Sequence, residues 1–406
     1  MQGIVNSPKA ATLKIICLID SLGSGGAQRQ LVTIALNLKK RGHEIRFLVY
    51  HKEDHFLPLL EKASIPCEII NARSLLRRAY EIRLALRNDW QDVVLAFLEG
   101  SCLYSELARI PRQKWGLVVG ERCGGPRILT KMGTRLRQFH RLADCVVTNS
   151  HTNRLMLQSQ CSFLAKKLVT IYNIVDTEQF YPAEAPLDSS ADKPKIFRIV
   201  VAASYQSKKN MLGMAEALKI LSGEGKSCVV DWYGGQAANP RAYNDVKAFV
   251  AENNLKNVLR IHPPTTNIAS EFRTASAVAL LSFYEGLPNA VCEAMACGKP
   301  ILLSNVCDAS NLVQDGVNGF LCDPYNPADI AARISCLMDL TFEERSRMGL
   351  SSRHIAEHLF QGGPVIDRYE QILQRASRGE PFDNVDSWPA TVPESAARAL
   401  PPLIPS

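Results

Sequence analysis

Short apolar runs alternate with amphipathic stretches along almost the whole chain, in two series separated by one break. In the first series the apolar runs fall at residues 14–20, 44–50, 92–98, 116–121, 144–148 and 168–171, with helical periodicity at 27–41, 131–142 and 152–160. That alternation predicts parallel strands joined by crossover helices, an α/β fold. Residues 181–195, YPAEAPLDSSADKPK, carry no periodicity and read as a linker. A second series follows, with apolar runs at 197–203, 227–233, 258–261, 277–282 and 300–304 and helical patterns at 211–221, 243–253, 290–297, 328–338 and 342–359. A chain of 406 residues exceeds one ordinary core. The pattern predicts two Rossmann-like domains, 13–185 and 186–360, after a tail at 1–12. A last helix is expected within 361–377, at 365–376, and the Pro- and Ala-rich tail 378–406 is expected to be disordered.

Composition narrows the function classes. No apolar run reaches the roughly 18 residues of a membrane span, and the first 20 residues lack the parts of a secretory leader. The twelve cysteines are scattered with no Cys-x-x-Cys pair, which leaves zinc-ribbon and dithiol readings without support and suits a reducing compartment. A cytoplasmic protein is expected. The net charge of +7 is uneven: residues 1–181 hold 26 Lys and Arg against 15 Asp and Glu, the remainder 21 against 25. A basic first half points to an anionic partner such as a membrane surface or a phosphate-bearing acceptor, with a plain solvated surface as the alternative.

Two segments carry candidate chemistry. Gly23-Ser24-Gly25-Gly26-Ala27 lies between the first strand and the first helix. Glycines there let a ligand approach the backbone, and a helix N-terminus offers free N–H groups suited to phosphate. The spacing is not the dinucleotide fingerprint, and a tight turn is the alternative. Residues 282–300, SFYEGLPNAVCEAMACGKP, place Glu285 at the carboxyl end of a strand and Glu293 eight residues later in the next helix. Ligands bind at the carboxyl ends of strands in open parallel sheets. Two carboxylates there can accept hydrogen bonds from the hydroxyls of a sugar or ribose, or simply favour the start of a helix.

Glu285-x7-Glu293, embedded in EGLPNAVCEAMACGKPIL, resembles the E-x7-E motif of family 4 glycosyltransferases, which are retaining enzymes of GT-B fold. The resemblance extends from about residue 13 to 375 through LGSGGAQRQLVTIALNLKKRGHEIRFLVY, LADCVVTNSHTN, IYNIVDTEQFYP and VNGFLCDPYNPADIA. It implies two domains facing a central cleft, with the last helix crossing back to the first domain. It implies that Glu285 lies against the donor sugar and that Glu293 binds ribose. Gly286, Leu287 and Pro288 would offer backbone contacts to the sugar, and Gly25 and Gly26 would border the diphosphate. His262, in IHPPTTNI, matches the loop that approaches the nucleobase, with Pro263 in place of the usual glycine. Many relatives carry Gly-Arg and then a lysine after the first strand of the second domain. Here Lys209 matches the lysine, and Ala203-Ser204 stands in place of Gly-Arg. Lys208, Ser204 and Arg122 are further candidates near the donor, Arg122 having a buried ion pair with Glu121 as its alternative.

The implied activity is transfer of a hexose or N-acetylhexosamine from a nucleoside-diphosphate sugar, UDP preferred and GDP possible, to a glycan or lipid-linked hydroxyl in polysaccharide assembly. Glu285 and Lys209 would be the catalytic pair. No Asp-x-Asp triplet occurs, so no metal is expected. Arg73, Arg77, Arg78, Arg83 and Arg87, in a stretch with Leu75, Leu76, Tyr80, Ile82, Leu84 and Leu86, suggest contact with an anionic bilayer; an ordinary surface helix with its apolar face in the core is the alternative. Competing readings are an inactive GT-B scaffold, a nucleotide-sugar 2-epimerase, a glycogen-synthase-like polymerase and a basic nucleic-acid-binding protein. The last lacks any recognisable nucleic-acid motif.

Overall fold

A computed structural model describes residues 11–88, 90–111, 113–122, 130–183, 196–235 and 241–382. The expected domain boundary near 185, most of the linker and most of both tails lie outside the described residues. The chain divides into two compact units. One runs to Ile174 and takes up the chain again from Gly363; the other is Val175–Gly362.

In the first unit β1 (Lys14–Leu18), β2 (Glu44–Val49), β3 (Cys67–Ile69), β4 (Val93–Phe97), β5 (Gly116–Glu121), β6 (Cys145–Thr148) and β7 (Leu168–Thr170) form a parallel sheet in the order β3-β2-β1-β4-β5-β6-β7. Side chains alternate across it as strand geometry requires. Ile15, Cys17 and Leu95 enter one apolar cluster, while Ile16, Leu18 and Val94 enter the cluster on the other face. Burial on both faces explains why the central strands read as unbroken apolar runs.

The second unit is built likewise from β8 (Arg198–Ala202), β9 (Val229–Tyr233), β10 (Leu259–His262), β11 (Ala277–Leu280), β12 (Ile301–Ser304) and β13 (Gly319–Cys322), ordered β10-β9-β8-β11-β12-β13. All pairings are parallel. In both sheets the order reverses beside the first strand, at β1/β4 and at β8/β11. Such a switch point opens a crevice at the carboxyl ends. The strands β3 and β13 were not among the expected ones. β3 has a glutamate at its centre and no buried residue, and β13 opens on a glycine, so neither reads as an apolar run.

The last helix spans Gly362–Arg378, longer than the 365–376 expected. Pro364 falls in its first turn, where the missing N–H has no intrahelical partner to lose. Val365, Ile366, Tyr369, Ile372, Leu373 and Ala376 form one stripe and sit in an apolar cluster of the first unit. Arg41 adds ion pairs to Asp367 and Glu370 at 2.6 and 2.8 Å. The helix approaches β5 so closely that a Cβ on Gly116 would lie 2.4 Å from the backbone of Ala376. Gly116→Val is therefore expected to lower stability by about 1–3 kcal/mol, read as a lower denaturation midpoint. Gly363→Ala, where an added Cβ meets nothing within 4 Å, should not lower it.

Candidate functional site

In the second unit the loops at the carboxyl ends of β8, β11 and β12 are tied together. After β8 the chain makes a single turn of 3-10 helix, Ser207–Lys209, and Asn210 then adopts a left-handed conformation (φ 57°). Its side chain caps the helix Met211–Gly223 by accepting from Gly213 N at 3.1 Å. This turn presents Lys209 to the loop after β11, where its ammonium donates to Glu285 Oε1. Ser282 Oγ donates to the same oxygen at 2.6 Å. Backbone bonds set the separation: Phe283 N donates to Lys208 O at 2.9 Å, and Ser304 Oγ at the end of β12 donates to Ser282 O at 2.7 Å. Lys209 and Glu285 each keep about one seventh of their side-chain surface, 16% and 14%, open to solvent. A charge pair so placed stays within reach of a ligand while solvent screens it less than at a free surface.

Glu285 N donates to Cys307 Sγ at 3.2 Å. Cys307 sits at φ 52°, a conformation that costs a residue with a Cβ on the order of 1–2 kcal/mol. Burial pushes its thiol up from the ordinary range. Neither Ser282 nor Cys307 was a sequence candidate; nothing in a single sequence marks a left-handed cysteine. Asn210 does carry a signal, an N-cap residue just before the helical pattern.

Beyond Glu285 the loop turns into the helix Asn289–Ala296. Leu287 and Pro288 are buried, and Pro288 O accepts from Val291 and Cys292 N at 3.0 and 3.2 Å. Gly286 is half-buried before them, and Glu293 is buried within the helix. Ser204 is half-buried beside Ala203, whose carbonyl accepts from Trp232 Nε1 at 2.8 Å.

His262 ends β10 at the same edge of the sheet. Its ring stacks on Tyr233 with centroids 4.6 Å apart, and Nε2 meets Asp231 Oδ1 at 2.7 Å. Burial alone would raise the Asp231 carboxyl, but hydrogen bonds from His262 and Arg198 outweigh it and hold the group below the ordinary range. Tyr205, in the loop after β8, donates its hydroxyl to His262 O.

In the first unit, Gly25 is the extended N-cap (φ −70°, ψ 157°) of the 15-residue helix Gly26–Lys40, and Ser24, Gly25 and Gly26 are exposed. A Cβ on Gly23 would lie 2.0 Å from Glu53 Oε2, so a side chain there would displace that exposed carboxylate. The loop thus offers exposed backbone at the positive end of a helix.

Arg122, at the end of β5, is held within this unit. It donates to Asn173 Oδ1 at 3.0 Å and to the Tyr369 hydroxyl, with its guanidinium 3.8 Å from the Phe97 ring centroid. It does not form the alternative ion pair with Glu121. That carboxylate meets Arg137 at 2.9 Å and His140 at 2.9 Å, and His140 also meets Glu106 at 2.5 Å. A rigid, doubly paired glutamate on one side of the strand end leaves Arg122 turned to the other. Of the five arginines between residues 73 and 87, Arg83 and Arg87 donate to backbone carbonyls of Leu107 and Ala108, at 3.0 and 3.1 Å.

Residues 24–179 match the description "Glycosyltransferase Family 4", and residues 187–354 match "Glycosyl transferases group 1". The chain belongs to the family 4 glycosyltransferases. The solved structure of Anabaena HepE in complex with UDP and glucose superposes on this family 4 chain with a TM-score of 0.77 at 19% identity, covering 89% of this chain and 99% of that one. The fold is GT-B. The D-inositol 3-phosphate glycosyltransferase of Paenarthrobacter aurescens is 30% identical over 166 residues, 40% of each chain. The Escherichia coli UDP-Gal:alpha-D-GlcNAc-diphosphoundecaprenol alpha-1,3-galactosyltransferase is 26% identical over 216 residues, 51% of this chain and 53% of that one. The family 4 chain thus spans about half or less of the length of these curated relatives.

The paired glutamates give a pH signature. Burial lowers the His140 imidazole, but the two carboxylates outweigh it and hold the group at about 9. Glu121 is pulled down to about 2 against the effect of burial, whereas burial raises Glu106 above its ordinary value. A raised histidine stabilises the fold below its unfolded value of 6.5, and that stability is lost as pH rises through 9. The thermal midpoint of the wild type should fall across this window. In Glu106→Gln, which weakens the hold on the imidazolium, the fall should be smaller and end at lower pH; identical profiles would rule the network out as its source.

Proposed function

We propose that this protein is a retaining glycosyltransferase that moves a hexose or N-acetylhexosamine from a nucleoside-diphosphate sugar, UDP before GDP, to a hydroxyl of a glycan or lipid-linked acceptor. The observation that carries the reading is the Lys209–Glu285–Ser282 assembly at the switch point of the second sheet. The UDP named for two of the similar proteins supports the choice of base.

As the glycosidic bond breaks, negative charge accumulates on the departing diphosphate. Lys209 is placed to counter it, and in this reading it exchanges part of its contact with Glu285 for the phosphate. Glu285, fixed by Ser282 and by its own amide on Cys307, would then accept hydrogen bonds from the donor sugar. Glu293 would take the ribose hydroxyls, and the backbone of Gly286, Leu287 and Pro288 the sugar oxygens. Gly25 and Gly26 would offer phosphate the N–H groups at the start of their own helix. Attack from the face the phosphate leaves lets a diphosphate oxygen receive the acceptor proton. That picture needs neither a dedicated base nor a metal, and the configuration at the sugar is retained.

A panel of UDP, GDP and ADP tests the donor assignment. Saturation at 100 times Kd should stabilise the protein by about 2.7 kcal/mol for one base, and Glu293→Ala should abolish the shift. Lys209→Ala should lower the transfer rate by about 10²–10³-fold with the fold intact. No shift with any nucleotide would transfer the case to an inactive scaffold.

For the acceptor side, Leu75, Leu76, Tyr80 and Leu84 of the helix Leu75–Ala85 are exposed, beside exposed Arg73 and Arg77. Among the described residues no helix is long and apolar enough to cross a membrane. We read this face as a peripheral contact with an anionic bilayer on the cytoplasmic side. The full chain should float with vesicles of phosphatidylglycerol and phosphatidylethanolamine at low salt. The double change Leu75→Asp and Leu76→Asp should release it, and flotation unchanged in that variant would refute the contact.

A further inference from the structure

At the carboxyl ends of β12 and β13 the second unit holds an open cavity of about 520 Å³. Its polar and aromatic lining is Asn305, Asp315, Asp323, Tyr325, Asp329 and Arg333. We propose that this cavity is a saccharide subsite that takes a neutral or amine-bearing sugar unit of the acceptor or product. The assignment to acceptor or product rests on the glycosyltransferase reading above; binding of a sugar does not.

The carboxylates are positioned before any ligand arrives. Asp315 Oδ1 accepts from Leu321 N at 2.8 Å, Asp329 Oδ2 from Asp323 N at 2.7 Å, and Asp323 Oδ1 from Tyr325 N at 2.9 Å. Each therefore uses one oxygen to hold its own loop and is fixed in orientation by that bond. Arg333 faces Asp315 and Asp329 at 3.6 and 3.5 Å, longer than a charged hydrogen bond. Its guanidinium is thus not closed into a tight fork with either.

Tyr325 supplies the apolar element. Its side chain is 73% exposed, and its ring stacks on Phe283 with centroids 4.8 Å apart. A pyranose has one face of C–H bonds and a rim of hydroxyls. An aromatic plate flanked by fixed carboxylates, an amide and a guanidinium matches both parts.

Charge selects among ligands. Three carboxylates against one guanidinium repel phosphate and carboxylate groups, so a nucleoside diphosphate does not suit this cavity. The donor region differs, with Lys208 and Lys209 and a helix N-terminus nearby. The strand order adds direction: His262 ends β10, Lys209 follows β8, Glu285 follows β11, and the cavity lies at β12 and β13, on the far side of Glu285 from His262. Two links connect it to the donor loop. Phe283, two residues before Glu285, backs Tyr325, and Asn210, next to Lys209, donates to Pro324 O at 2.7 Å.

Saturation-transfer NMR on the full chain, with UDP saturating the donor region, tests the assignment. The probes are N-acetylglucosamine, galactose, glucose and glucosamine, with glucuronic acid as the anionic control. At least one neutral or amine-bearing sugar should give a signal, and glucuronic acid none. Tyr325→Ala and Asp329→Asn should each weaken that binding about tenfold while leaving the UDP thermal shift unchanged, which also shows that both variants fold. No sugar signal, equal binding of glucuronic acid, or binding unaffected in both variants would overturn the proposal. Loss of the nucleotide shift in the wild type would instead count against the donor reading, and a sugar signal sensitive to Tyr325→Ala would still establish the cavity as a saccharide site.

Discussion

A parallel strand can pair only with a neighbour reached by a crossover, so both faces of the sheet are covered and its connections collect at two edges. That constraint governs the rest of this molecule. It turns β4, β5 and β6 into wholly buried strands, apolar except for Glu121 and Thr148 at their carboxyl ends, and it leaves the carboxyl-end loops as a place where polar side chains from several strands can meet. Lys209, Ser282, Glu285, Ser304 and Cys307 come from loops after three adjacent strands, yet they share one hydrogen-bonded cluster.

The cluster shows how charge is held ready. A lysine and a glutamate in contact neutralise one another in the absence of ligand, which limits the cost of keeping either half-buried. In the proposed reaction an incoming diphosphate would offer Lys209 a stronger partner, with Glu285 still held by Ser282. The same economy appears in the first unit, where Glu106, Glu121, Arg137 and His140 are mutually paired in the interior. That network uses ionisable groups for rigidity, and Arg122, beside it in sequence, serves a different contact: with Asn173 and Tyr369 it joins the ends of the sheet to the last helix. A basic residue read from sequence as a lining residue thus has a clear packing task.

Most of the fold was legible from the order of apolar runs, because the central parallel strands are buried on both faces and leave no polar interruption. Glu285, Glu293 and the glycine loop were picked out by their place after strand ends, and Lys209 by the family resemblance. β3 and β13, which lack an apolar run, were not, and neither was Cys307, whose part depends on the separation of two loops 22 residues apart. The basic stretch from Arg73 to Arg87 was read as one charged surface. In three dimensions Arg83 and Arg87 turn inward to cap carbonyls, because the chain after residue 107 runs beneath them.

The sequence by itself determined the class of fold, the two series of strands and the residues with chemistry to offer, because periodicity and strand-end position are local properties. Only the tertiary structure decided which of those residues share a site. It paired Lys209 with Glu285 across 76 positions, withdrew Arg122 into a tie to Tyr369 across 247, and folded three separate aspartates and Tyr325 around one cavity. Such pairings follow from strand order and loop path, and these are set by how the whole chain packs its two faces of each sheet, not by any short stretch of it.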